Sequence, residues 1–129
     1  MSRPVDVGDL KIGSYVIVED VPCRIVEITK SKPGKHGAAK ARVVAIGVFD
    51  SLKRSFVKPV DAKVDMPMIE KRTGQLLAIL PNSLQLMDLE TYEVFEAPLP
   101  DDELRPRLNE GVEVEYWSIL GRTKVMRVK

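Results

Sequence analysis

Val21-Pro22-Cys23-Arg24-Ile25-Val26-Glu27-Ile28 and Val43-Val44-Ala45-Ile46-Gly47-Val48-Phe49 flank a polar stretch, and that pattern decides how this chain is read. The stretch is Thr29-Lys30-Ser31-Lys32-Pro33-Gly34-Lys35-His36-Gly37-Ala38-Ala39-Lys40-Ala41-Arg42. Two runs rich in β-branched residues around a turn-forming segment predict a β-hairpin. Pro33-Gly34 is a turn signal, and Gly37 is a second residue free to take positive φ. Lys35 and His36 therefore sit between two glycines at the predicted tip. Between Glu27 and Asp50 there is no acidic residue, whereas Lys30, Lys32, Lys35, Lys40 and Arg42 all occur. Clustered cations on a hairpin tip suit a polyanion, because neutralising phosphates releases counterions. A solvated turn with lysines for solubility is the plainer alternative.

The core Gly34-Lys35-His36-Gly37, within Ser31 to Lys40, resembles the hypusine loop of the translation initiation factor 5A family, which is related to bacterial elongation factor P. The resemblance runs from Asp6 to Val128, and the chain's length is similar to the archaeal form. It implies that Lys35 receives an aminobutyl group from spermidine, giving hypusine or deoxyhypusine. Gly34, His36 and Gly37 would support that modification, with deoxyhypusine synthase as the modifying enzyme. It further implies a factor that binds the ribosome, with its tRNA and rRNA, beside peptidyl-tRNA and promotes peptide-bond formation at stalling sequences. Lys30, Lys32, Lys40 and Arg42 would contact phosphates at the loop base. Ala38-Ala39 departs from the eukaryotic loop, which carries a histidine at the position of Ala39, so contacts there are expected to differ. The alternative function is a general RNA-binding or RNA-remodelling protein acting without lysine modification.

The 129 residues are 44% hydrophobic and 30% charged, which indicates a soluble globular chain and not a disordered one. No apolar run approaches the roughly 18 residues of a membrane span, and residues 1–6 show no signal-peptide pattern. One cysteine, Cys23, leaves no internal disulfide and fits a reducing cytoplasm. Net charge is only +1, divided as +4 over residues 1–68 and −3 over residues 69–129. Any polyanion contact must therefore be local, and bulk nonspecific nucleic-acid binding is excluded.

Residues 1–68 sustain no long helical period. Val7 to Gly13 reads as a loop turning at each glycine. Ser14 to Val18, Val21 to Ile28, Ala41 to Phe49 and Ser55 to Pro59 read as strands separated by short turns. In Val21 to Ile28, Cys23, Ile25 and Glu27 are expected on one face, with Arg24, Val26 and Ile28 on the other. This order predicts a small SH3-like barrel, the fold that the resemblance also implies. Asp65-Met66-Pro67-Met68 is expected to be a stiff linker closing a first domain, 1–68. In the second domain, 69–129, Leu76 to Leu80, Ser83 to Leu89 and Tyr92 to Glu96 are strands. A short helix follows within Pro98 to Asn109, limited by Pro106, and then a hairpin of Val112 to Leu120 and Arg122 to Val128. Three strands, a helix and two strands give an OB-fold barrel, so the fold class is all-β with one short helix.

No catalytic motif is present. One histidine and one cysteine exclude a metal quartet and a Cys-His nucleophile pair, so neither an enzyme nor a cofactor-dependent protein is expected. Cys23 reads as a core residue, and Asp101, Asp102 and Glu103 as acids opening the helix. Alternation places Tyr116 with Val112 and Val114, and Trp117 with Glu113 and Glu115 on an exposed face. Trp117 is then either an RNA-stacking platform or an ordinary barrel-edge residue, with the glutamates opposing the former. The expected assembly is a cytoplasmic monomer without a membrane partner.

Overall fold

A computed structural model describes residues 2–32 and 39–129. Its chain divides into two compact units, Met1–Met68 and Ile69–Lys129, each built from strands. None of the described helices is long and apolar enough to cross a membrane.

The first unit is a meander of β2 (Tyr15–Val18), β3 (Val21–Ser31), β4 (Lys40–Gly47) and β5 (Lys53–Pro59), all antiparallel. A second ribbon pairs β1 (Ser2–Asp6) with β6 (Lys63–Pro67), register Pro4 to Asp65. The ribbon adds a strand that the sequence reading did not name and corrects one expectation. Residues 2–6 lack alternation and contain a proline, yet an edge strand tolerates both because only one side of its backbone must pair. Met66 and Pro67 continue β6 and do not form a linker.

The core of this unit gathers Val16 from β2, Cys23 and Ile25 from β3, Ala41, Val43 and Ala45 from β4, and Val7 from a 3₁₀ turn at Val7–Asp9. Burying each large aliphatic side chain here contributes roughly 1.5–3 kcal/mol. Glu19 and Asp20 both take positive φ, 53° and 65°, forming the two-residue turn that matches the twist of β2 and β3. Facing changes within β3. The register against β4 shifts between Ile25 and Glu27, a β-bulge that absorbs Val26. Beyond it Glu27 is exposed and Ile28 packs on the core, the reverse of strict alternation.

The second unit is one five-stranded sheet in the order β11-β10-β7-β8-β9, with β9 and β11 approaching to curl it into an OB-type barrel. Its strands are β7 (Ile69–Ile79), β8 (Ser83–Asp88), β9 (Val94–Pro98), β10 (Glu113–Ile119) and β11 (Arg122–Val128). β8 alternates without a break, with Leu84, Leu86 and Asp88 inward. The expected helix is reduced to a 3₁₀ turn, Arg105–Arg107, because Pro106 lacks the N–H a longer helix would need. Asp101 and Asp102 accept Leu104 and Arg105 N–H groups through main-chain carbonyls, at 2.9 and 3.3 Å. Their carboxylates pair instead with Lys124 and Arg105, at 3.2 and 3.4 Å.

Candidate functional site

β3 and β4 run side by side to the last register pair, Ser31 opposite Lys40, before the chain enters residues 33–38. Gly34, Lys35, His36 and Gly37 lie outside the described residues. The four cations expected at the loop base do not form one cluster. Ala41 and Val43 point into the core, so alternation along β4 sends Lys40 and Arg42 to the outer face. Thr29 and Val57 flank Arg42 there, and Ser31 and Pro59 flank Lys40. Lys32 follows Ser31 and is exposed. Lys30 stands opposite Ala41, on the other face, and its ammonium donates to the Gly8 carbonyl at 3.1 Å.

Among the described residues, no carboxylate forms an ion pair with Lys32, Lys40 or Arg42, whereas Arg54 holds Asp50 and Glu19, and Lys63 holds Asp6. The Arg54 guanidinium, with the Leu52 N–H, lowers the Asp50 pKa to about 2. Lys40 and Arg42 are two residues apart on one strand, about 7 Å, so they repel by roughly 0.6 kcal/mol in water. A phosphate chain laid across this face would reverse the sign of that interaction. Sequence reasoning missed Lys58. It lies opposite Ala41 on β5 with its ammonium 5.7 Å from the Phe56 ring centroid, and only the β4–β5 register reveals that position.

Trp117 is 6% exposed, which corrects the expected surface position. Its cross-strand neighbours are Lys71 and Lys124, and long lysine side chains can cover an indole on an otherwise polar face. The Lys71 ammonium lies 4.7 Å from the ring centroid and occupies the face a base would need, while the indole N–H donates to Glu115 at 3.2 Å. Packing, not RNA stacking, is its role in this arrangement. Cys23 is wholly buried with its thiol on the Val21 carbonyl at 3.3 Å, and burial pushes its pKa up, away from nucleophilic chemistry. No group of three His, Cys, Asp or Glu among the described residues is placed to hold a metal ion.

The second unit holds a different polar centre. Asp88, 2% exposed, accepts Tyr116 Oη at 2.5 Å, Arg72 Nε at 2.6 Å, and the Glu90 and Thr91 N–H groups at 2.8 and 2.9 Å. Arg72 foremost holds the Asp88 carboxyl well below the usual carboxylate range, and Tyr116 is pushed up to about 12 by burial and by its bond to Asp88. The centre opens to an acidic cleft of about 490 Å³ bordered by Glu70, Glu93, Glu96 and Phe95. That lining repels phosphate. Alternation places Asp88 inward and its Glu90 and Thr91 donors are local, but its side-chain partners Arg72 and Tyr116 come from two other strands, so no sequence signal could have assembled them.

Comparison with known proteins covers both units. A family profile described as "Translation initiation factor 5A-like, N-terminal" matches residues 1–62. A second, "Eukaryotic elongation factor 5A hypusine, DNA-binding OB fold", matches residues 68–129. Translation initiation factor 5A of Methanothermobacter thermautotrophicus is 60% identical over 127 residues, covering 98% of this chain and 97% of that one. Its counterpart in Pyrococcus horikoshii is 56% identical over 128 residues, covering 97% and 93%. Among solved structures, eukaryotic translation initiation factor 5A from Methanococcus jannaschii superposes with a TM-score of 0.93 at 50% identity, covering 99% of this chain and 95% of that one.

Proposed function

Because this chain belongs to the translation initiation factor 5A family, we propose that it acts through a hypusine or deoxyhypusine at Lys35. In this reading it binds the ribosome beside peptidyl-tRNA in the cytoplasm, as a monomer, and promotes peptide-bond formation at stalling sequences. The observation that carries the reading is the placement of Gly34-Lys35-His36-Gly37 in the sequence between the paired strands β3 and β4, whose ends carry Lys32, Lys40 and Arg42, cations with no ion pair among the described residues.

The physical account needs no covalent step on the substrate. Aminobutylation turns Lys35 into a long linear chain with two basic nitrogens, slim enough to pass between RNA backbones. Lys40 and Arg42 hold phosphates on the outer face of β4, and Lys32 holds one beyond β3. Held near the acceptor end of a tRNA, the extended amine orients the reacting ends, and orientation alone supplies several kcal/mol. The protein is then a positioning factor and not an enzyme.

Mass spectrometry of the protein purified from its natural host tests this reading. An aminobutyl increment confined to Lys35 is expected. An unmodified Lys35 in actively translating cells would leave only the general RNA-binding alternative.

A further inference from the structure

Both feet of the Lys35 segment are tied to one bracket made by Gly8 and Val60. On the β4 side, the Val60 N–H donates to the Ala39 carbonyl at 3.0 Å, extending the β4–β5 ladder past the Lys40–Pro59 pair. Val60 in turn accepts the Gly8 N–H at 2.8 Å. On the β3 side, Lys30 donates its ammonium to the Gly8 carbonyl at 3.1 Å. Gly8 thus uses its N–H for one foot and its C=O for the other. The bracket is itself anchored, since Val7 is fully buried and its N–H donates to the Ala62 carbonyl at 2.9 Å.

This arrangement explains why position 8 is glycine. A Cβ there would stand 3.2 Å from both the Cβ and the carbonyl oxygen of Val60. Val60 would have to retreat by a few tenths of an ångström, and the bond it makes to Ala39 would move with it. Gly13 is glycine for another reason, its φ of +90°.

We propose that Gly8 and Lys30 are positioning residues for Lys35. They tie together the two strand ends that lead into the segment carrying Lys35, and Lys30 is not a phosphate contact. The inference rests on the reading that Lys35 is the modified residue. Clamped feet lower the conformational cost of docking the segment, so loosening them weakens encounter without altering the chemical step.

The test compares Lys30→Met, Lys30→Arg, Gly8→Ala and Lys32→Met as substrates of purified deoxyhypusine synthase in its complete assay mixture with labelled spermidine. Lys30→Met and Gly8→Ala should raise KM for the protein about three- to tenfold with kcat unchanged. Lys30→Arg, which keeps a donor, should restore it. The salt dependence of ribosome binding separates the two roles of lysine. Lys32→Met should lower the slope by about 0.7–0.9, whereas Lys30→Met should leave it as in the wild type. A wild-type KM in both Lys30→Met and Gly8→Ala would overturn the proposal, and so would a reduced salt slope in Lys30→Met. Should the wild-type protein itself take no label, the reading of Lys35 fails, and amide exchange then judges the bracket alone. Faster exchange at Gly8 and Val60 in Lys30→Met supports it, and unchanged protection removes it.

Discussion

The two units handle charge in opposite ways. In the first, every group of the core cluster is apolar or a thiol, and Lys32, Lys40 and Arg42 at the β3–β4 ends are exposed and form no ion pair among the described residues. In the second, a carboxylate sits inside the barrel with five donors around it, and Arg72, Arg105, Lys124 and Arg127 each meet an acid. A surface kept electrostatically unsatisfied is available to a polyanion, while a satisfied network is a stability device with nothing left over. Under the proposed function, the comparison assigns binding to the first unit and rigidity to the second.

The sharpest way to break that assignment is Lys35→Arg. Arginine preserves charge and nearly the length, and an exposed loop position contributes little to the core, so stability should change by under about 0.5 kcal/mol. Its guanidinium cannot replace a primary amine in forming an imine and cannot mimic a linear polyamine. Rescue of stalled proline-rich messages should therefore collapse, and a fully active Lys35→Arg protein would erase the distinction between a modified lysine and a simple phosphate contact.

Asp88→Asn attacks the other side. It leaves Arg72 beside a neutral amide and weakens the Tyr116 bond, costing about 2–4 kcal/mol once the partial exposure of Arg72 is allowed for. Calorimetry should show the second unit melting earlier, with Lys35 modification unchanged. The pH dependence follows from the same groups. The carboxyl of Asp88 is depressed in the folded state, so its contribution is present above the unfolded value near 3.9 and fades as pH falls below it. Tyr116 is raised to about 12, so its contribution is complete below pH ~10 and is lost as pH climbs from there towards 12.

Smaller in effect, neutralising Lys32, Lys40 and Arg42 together should lower the salt slope of ribosome binding by about 2–3 while leaving both units folded. An unchanged slope would move the contact away from β4. The smallest effect belongs to Tyr92, which holds φ at 61° where its N–H reaches the Asp88 carbonyl at 2.8 Å. Tyr92→Gly relieves that left-handed strain and should stabilise the second unit by about 0.5–1 kcal/mol, seen as a slightly higher Tm. A lower Tm would mean that the exposed ring contributes packing.

Much of this architecture was legible in the chain. Ser83 to Leu89 alternates and folds as a half-buried strand, and the runs around Lys35 pair as a hairpin, because period-two patterning reports a buried face directly. The bulges at Val26 and Leu77 were not legible, since a single inserted residue leaves no composition signal while reversing everything beyond it. Lys30 and Trp117 were misplaced for a related reason. Alternation names the face a side chain leaves from, but a long lysine can reach back to Gly8, and lysine stems can bury an indole. Asp88 was invisible as a hub because its side-chain partners, Arg72 and Tyr116, are brought to it only by the strand order β10-β7-β8.

Trp117 also gives the molecule an internal optical label. It is the single tryptophan of the chain, and its indole is shielded from water within the Ile69–Lys129 unit by residues of β7 and β11. Its emission therefore reports on one unit, while far-ultraviolet circular dichroism reports on strands from both. Where the two melting curves part, the gap measures how far one barrel outlives the other.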